Sequence, residues 1–209
     1  MNKIIKNTLI LTAITVVSGL MLGIVYDITK EPIAQAQENT KQEAYRSVLP
    51  DASEFHPVDF DADAAASLLS ENGYSSDAIT EIAEGVDDSG ESAGYVISVQ
   101  SSEAYDGSLT LSVGIASDGT VKGIEMLDIS ETAGLGMKAD EQEFKDQFKD
   151  KNVEKFAYTK TGEDGDNMID AISGATITTN AVTNAVDSAL VYYQNELSAG
   201  SQMGGGVNE

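Results

Sequence analysis

The residues best suited to chemistry lie in one stretch, Asp170-Ala171-Ile172-Ser173-Gly174-Ala175-Thr176-Ile177-Thr178-Thr179-Asn180. A glycine turn rich in hydroxyls runs directly into a long helical pattern. The start of a helix carries unpaired N–H groups and the positive end of the macrodipole, and together these make a seat for phosphate. Gly174 and Ala175 are small enough to let a large partner reach the backbone. Ser173, Thr176 and Thr178 place hydroxyls beside it. The same residue types also make an ordinary helix cap, and on the residues alone both readings stand.

A second stretch, Glu131-Thr132-Ala133-Gly134-Leu135-Gly136, follows a strand pattern and reads as a glycine turn with an exposed Glu. Other candidates are weaker. His56 sits beside Pro57 in a polar stretch, with no Ser or Asp constellation pointing to it. Asp59-Phe60-Asp61-Ala62-Asp63 and Glu163-Asp164-Gly165-Asp166 resemble pieces of calcium loops but lack the full spacing with a terminal Glu, so they read as solvated acidic loops.

Composition narrows the chemistry further. There is no Cys and no Trp, and His56 is the single His. Disulfides, thiolate metal sites, iron–sulfur clusters, a lipid anchor on Cys and bis-His haem are thereby excluded. Lys and Arg number 12 against 35 Asp and Glu, a net charge of −23, which repels a phosphate backbone and argues against nucleic acid as a partner. What remains is hydroxyl, carboxylate and lysine chemistry, or a borrowed cofactor.

The elements that must position these residues are partly visible. Leu109, Leu111, Val113 and Ile115 alternate with Thr110, Ser112 and Gly114, the signature of a half-buried strand. Tyr95 to Val99 is strand-rich. Ser117-Asp118-Gly119-Thr120 is a turn, and Val121 to Ile129 returns as another strand. Ala64 to Leu69 forms a short helical patch within residues 51–90, and Phe144 to Lys155 reads as a charged amphipathic helix or loop. From Thr178 to Leu197, Val182, Ala185, Val186, Ala189, Leu190 and Tyr193 make one apolar stripe of a helix. The fold class is α+β: an antiparallel sheet packed with helices on one face, tethered by one N-terminal transmembrane helix.

That tether starts with Lys3 and Lys6, followed by an uncharged apolar run from Thr8 to Tyr26. A helix of about 19 residues spans roughly 28 Å, close to the hydrocarbon thickness. The run exceeds a signal-peptide core and lacks a nearby Ala-x-Ala site, which favours an uncleaved single-pass anchor. Lys3 and Lys6 place the N-terminus in the cytoplasm and the main domain outside the cell membrane. The expected organisation is a cytoplasmic N-terminus at 1–7, a transmembrane helix at 8–28 and a linker helix at 29–50 ended by Pro50. A domain at 51–197 and a disordered, Gly-rich tail at 198–209 follow.

The string Asp170-x-x-Ser173-Gly174-Ala175-Thr176 resembles the flavinylation motif D-x-x-[S/T]-G-A-T of the FMN-binding domain family. The resemblance implies that a flavin transferase moves FMN from FAD onto Thr176, leaving a covalent phosphoester to the threonine. Asp170, Ser173, Gly174, Ala175 and Thr178 are then its neighbours, and Thr178 and Thr179 are placed to hydrogen-bond the phosphate. Glu131-Thr132-Ala133-Gly134-Leu135-Gly136 is similar to the E-T-P-G-L-G loop found in the G subunit of Rnf complexes and the C subunit of sodium-pumping NADH:quinone reductases, with Ala133 in place of Pro. This implies that Glu131, Thr132, Leu135 and Gly136 lie by the flavin, and Lys138 just beyond them is either a further contact or a solvated lysine. Ser102 to Gly107 is loosely similar to the family's aromatic–Gly turn.

The order of parts resembles the G subunit of Rnf complexes over about residues 1–195. The implied function is a membrane-anchored electron relay in a ferredoxin:NAD oxidoreductase that moves Na⁺ or H⁺, itself non-catalytic, with the other Rnf subunits as partners and the transferase needed for maturation. Two alternatives remain: the quinone-reductase counterpart, and a cofactor-free exterior binding module in which Ser173 to Thr176 only caps a helix.

Overall fold

The structure, a computed structural model, describes residues 3–198. Two units make up the chain, residues 1–42 and residues from Glu43 onward. Helix α1 (Lys3–Val48) runs unbroken through Pro32. Its N-terminal part is long and apolar enough to cross a membrane, with a mean hydropathy of 2.3 over its most apolar window. Leu9, Leu11, Ile14, Leu20, Leu22 and Val25 all stay exposed. Apolar residues on every side of a helix, none of them buried, need a hydrocarbon surround rather than water. This unit is therefore a single membrane anchor. The expected tail lies outside the described residues, apart from Ser198.

The second unit is built on a five-stranded antiparallel meander: β1 (Glu54–Pro57), β2 (Asp77–Val86), β3 (Ser92–Ser101), β4 (Leu109–Ala116) and β5 (Val121–Asp128), each paired to the next. Strands β3 to β5 fall where the alternation predicts them. Strands β1 and β2 sit in the acidic stretch and lack that signal. In β2, Glu81 and Glu84 interrupt Ile79, Ile82 and Ala83, and a register irregularity between Ile79 and Glu81 breaks the period of two. A separate pair of short parallel strands, β6 (Ala157–Thr159) and β7 (Met168–Asp170), completes the β structure. Between β5 and β6 lie a short 3-10 turn (Gly136–Asp140), α3 (Gln142–Lys145) and a second 3-10 turn.

The main core lies on one face of the sheet. Ile97, Val99, Leu111, Val113 and Ile115 pack with Ala181, Val182, Ala185, Val186 and Ala189 of α4 (Thr176–Tyr192), together with Leu69 of α2 (Ala62–Glu71). Each fully buried aliphatic side chain contributes about 1.5–3 kcal/mol. Helix α2 starts at Asp61, whose Oδ1 accepts the N–H groups of Asp63 and Ala64 at 3.0 Å each. Helix α4 begins two residues earlier than its apolar stripe suggests, and it ends in a π-turn at Tyr193–Leu197.

Helices cover both faces of the sheet, not one. On the second face the last residues of α1 and the loop after it, Tyr45, Val48, Leu49 and Ala52, form a smaller core with Ala83 and Val96. Gly114 permits this approach, because a Cβ there would run into the Val48 carbonyl. Beneath Tyr45 the buried hydroxyls of Ser98 and Ser112 pair at 3.0 Å, and Tyr45 Oη lies 3.5 Å from Ser98 Oγ.

Candidate functional site: a cleft at the mouth of α4

The turn before α4 is made by Gly174, whose φ of +79° is a conformation that disfavours a side chain. Thr179 holds the turn from inside. Its Oγ1 accepts the Ile172 N–H at 3.0 Å and donates to the Ala175 carbonyl at 3.0 Å. That hydroxyl is buried and committed to the turn, so it is not available to a ligand. Ala175 stands at the cap position, and no side chain caps this end of the helix. Unlike α2, α4 starts bare, with its first N–H groups and the positive end of its dipole turned to a cleft.

The cleft has a volume of about 540 Å³ and is lined by two loops: Glu131, Thr132, Leu135 and Gly136 on one side, and Gly174, Ala175, Thr176, Ile177 and Thr178 on the other, with Tyr105 at its edge. The two loops that the sequence singles out therefore meet. Thr176 is half-buried within it, and Thr178 is only 1% exposed. Tyr105, Leu135 and Ile177 form an apolar rim and are 70%, 43% and 51% exposed, which is unusual for large apolar side chains grouped together.

Two glycines keep the loops close. A Cβ on Gly136 would strike Glu131 Oε2, and it would come within 2.7 Å of Thr178 Oγ1. A Cβ on Gly174 would come within 3.2 Å of Leu135 Cδ2. Glu131, expected to be exposed, is buried. Its Oε1 accepts the Tyr105 N–H at 2.7 Å and the Asp106 N–H at 3.4 Å, which joins the β5 loop to the β3–β4 loop. Nothing in the local sequence marks that pairing, since its partners are 25 and 26 residues away.

Two motif residues lie elsewhere. Asp170 and Ser173 are both exposed, and they line a separate depression with Lys138, Glu141 and Gln147. The Asp170 N–H donates to Gln147 Oε1 at 2.6 Å, so its backbone is fixed while its carboxylate faces outward. Ile177, the rim residue between two predicted ones, carries no chemical signal of its own. Only its place one step after Thr176, at the start of the helix, brings it to the cleft.

At the far end of α4 the electrostatics differ. Asp187 is buried and accepts the Phe156 N–H at 2.8 Å and the Tyr74 hydroxyl at 3.2 Å. Burial pushes its carboxyl up to about 6, against the counter-pull of the Phe156 N–H and the Lys155 charge. Asp77 accepts the Ser188 hydroxyl at 2.7 Å through Oδ2, and burial raises its carboxyl too. Its Oδ1 has no hydrogen-bond partner among the described residues.

The cleft fits a flat, anionic, partly apolar ligand: bare helix N–H groups for a phosphate, a hydroxyl beside them, and an apolar rim for a ring system. Comparison with known proteins agrees with that class. Residues 104–191 match the FMN-binding domain family, and residues 1–48 match the N-terminal region of RnfG.

The G subunit of the ion-translocating oxidoreductase complex of Methanosarcina acetivorans is 33% identical over 191 residues, covering 91% of this chain and 94% of that one. The G subunit of the Na(+)-translocating ferredoxin:NAD(+) oxidoreductase complex of Acetobacterium woodii is 33% identical over 92% of each chain. The proton-translocating counterpart of Clostridium ljungdahlii is 30% identical over 90% of this chain and 91% of its own. The chain belongs to the RnfG family, the G subunits of Rnf-type ion-translocating oxidoreductase complexes. Its fold is shared with the C subunit of the Na(+)-translocating NADH-quinone reductase of Parabacteroides distasonis, at a TM-score of 0.54 and 20% identity over 77% of this chain and 93% of that one.

Proposed function

We propose that the chain is a membrane-anchored electron-transfer subunit of an Rnf-type complex that carries FMN as a phosphoester on Thr176. The observation that carries this reading is the Thr176 hydroxyl at the uncapped start of α4, inside a cleft rimmed by apolar side chains. In maturation a flavin transferase uses FAD as donor. Thr176 Oγ1 forms the new bond to phosphorus, the pyrophosphate bond breaks, AMP leaves, and the hydroxyl proton is lost. The diester keeps one negative charge, which the helix start stabilises by about 0.3–1 kcal/mol or somewhat more in a partly buried setting.

The group supplies the redox chemistry, taking up and releasing electrons through its ring. The residues of this chain hold and shield it. Gly174 and Ala175 let the phosphate reach the backbone, Thr178 offers a hydroxyl, and Tyr105, Leu135 and Ile177 exclude water from the ring. Glu131 fixes the loop that carries Tyr105, and Thr132 and Gly136 shape the wall beneath. Asp170 and Ser173, outside the cleft, serve recognition by the transferase rather than contact with the flavin.

The partners are the other subunits of the complex, and the domain from residue 51 stands on the extracytoplasmic side, as the lysines ahead of the apolar run direct. Covalent attachment suits that side, where a dissociated flavin would be lost. The relatives that this chain resembles are named for Na⁺ in one case and for protons in another, so similarity leaves either coupling ion compatible.

Co-expression with a flavin transferase tests the assignment. Intact mass of the wild type should show the chain plus one FMN less water, and peptide mapping should place it on Thr176. Thr176→Ala should give a band without fluorescence on a denaturing gel under ultraviolet light. A fluorescent Thr176→Ala band, or an unmodified wild type, would overturn it.

A further inference from the structure

Three residues outside the flavinylation motif converge on the loop that carries Tyr105. Glu103, half-buried at the start of the β3–β4 connection, accepts Asn180 Nδ2 at 3.1 Å and Asn184 Nδ2 at 2.7 Å, both through Oε2. Thr176, Asn180 and Asn184 are spaced four apart, so they share one face of α4. The face that presents Thr176 to the cleft is thus the face that grips Glu103. Asparagine is a poor interior helix residue, yet two of them stand one turn apart here and donate to one carboxylate oxygen. From the opposite side Glu131 takes the N–H groups of Tyr105 and Asp106. The loop is held at Glu103 and again at the backbone of Tyr105 and Asp106, and the tyrosine side chain itself is 70% exposed. A rigid backbone under an exposed aromatic ring is what a stacking partner needs, because a ring on a loose loop loses its contact to conformational entropy.

We infer that Glu103, Asn180 and Asn184 are positioning residues that lock the Tyr105 loop to the flavin-bearing helix and so fix Tyr105 against the flavin ring. This rests on the reading of Thr176 as the FMN site. None of the three touches the flavin; they act through Tyr105. The carboxylate is used as a two-fold acceptor and not for its charge, so Glu103→Gln, which keeps an acceptor oxygen at the same place, should behave as the wild type.

The test uses the full chain in detergent micelles, in two arms. In the flavin-free chain, hydrogen–deuterium exchange of the peptide spanning Tyr105 should quicken about tenfold or more in Glu103→Ala and in the Asn180→Ala/Asn184→Ala double variant, the equivalent of losing one or two hydrogen bonds. Exchange should stay near wild type in Glu103→Gln. In the flavin-loaded chain, with loading verified by mass, Tyr105→Leu should raise flavin fluorescence several-fold, because a stacked tyrosine quenches a flavin. Glu103→Ala should raise it by a similar factor, with Glu103→Gln unchanged.

Unchanged exchange in Glu103→Ala would overturn the lock. Unchanged fluorescence in Tyr105→Leu, or in Glu103→Ala despite a loosened loop, would overturn the link to the ring. Absence of flavin on a wild-type chain co-expressed with the transferase would instead sink the FMN reading, and with it the link to the ring, while the exchange arm still decides the lock.

Discussion

The two ends of α4 handle buried polarity in opposite ways. At its N-terminal end the carboxylates of Glu103 and Glu131 each accept two N–H donors, and the helix start itself is left uncapped beside a cleft. At its C-terminal end Asp77 and Asp187 are buried, Asp187 accepting the Phe156 N–H and the Tyr74 hydroxyl and Asp77 the Ser188 hydroxyl. Both are pushed toward the neutral form, and one oxygen of Asp77 is left without a partner among the described residues. Between them the helix is apolar and closed. One end uses its hydrogen-bonding capacity to hold loops around a ligand site, and the other anchors the helix against an electrostatic penalty. The difference separates function from stability along a single element.

Thr176→Ala sharpens that separation most. Covalent flavin should fall to nothing, while the unfolding free energy of the flavin-free chain should move by no more than about 0.5 kcal/mol, since a half-exposed hydroxyl is lost. Denaturant unfolding beside in-gel fluorescence reads both. Leu190→Ala, at the opposite end, should do the reverse: a loss of about 2–5 kcal/mol in stability, with flavin still attached to whatever fraction is folded. If Leu190→Ala abolished flavinylation in folded protein, the two ends would not be separable.

Gly136→Ala comes next. The added methyl would collide with Glu131 and Thr178, so stability should drop by about 1–3 kcal/mol and flavin loading should fall with it. The last effect is confined to a pH window. The Asp187 carboxyl titrates near 6 when folded against about 3.9 when unfolded, so the folded state holds the proton more tightly between those values. This group therefore makes stability fall as pH rises from about 4 to about 6 and contributes no slope beyond. Asp187→Asn should remove that slope, and the difference between the two proteins across a pH series isolates it. A pH-independent difference would mean that Asp187 is not perturbed.

Much of this molecule was legible in its residues. The alternation of Leu109 to Ile115, the turn at Asp118-Gly119 and the stripe from Val182 to Leu190 each depend on local periodicity, and each element formed where that periodicity lay. Strands β1 and β2 were not legible, because their pairing edges and burial are supplied by β3 and α2, while their own residues alternate irregularly between acidic and apolar. At the cleft, the meeting of Glu131 to Gly136 with Gly174 to Thr178 was foreseen from motif resemblance. The inward turn of the Glu131 carboxylate was not, because its donors are backbone groups from a distant loop, and backbone donors leave no trace in residue type. The same holds for Glu103: two asparagines on the helix face away from the apolar stripe are visible, but what they point at is not.

The second face of the sheet sets a practical boundary. Tyr45, Val48 and Leu49 roof a patch holding Val96 and the paired serine hydroxyls, with Gly114 directly beneath the helix end. A proteolytic cut or a gene truncation meant to free a water-soluble flavoprotein must fall ahead of Glu43. One placed after Val48 would strip the roof, wet the hydroxyl pair and leave a sticky apolar surface, and the released fragment should precipitate even though every residue of the cleft is still present.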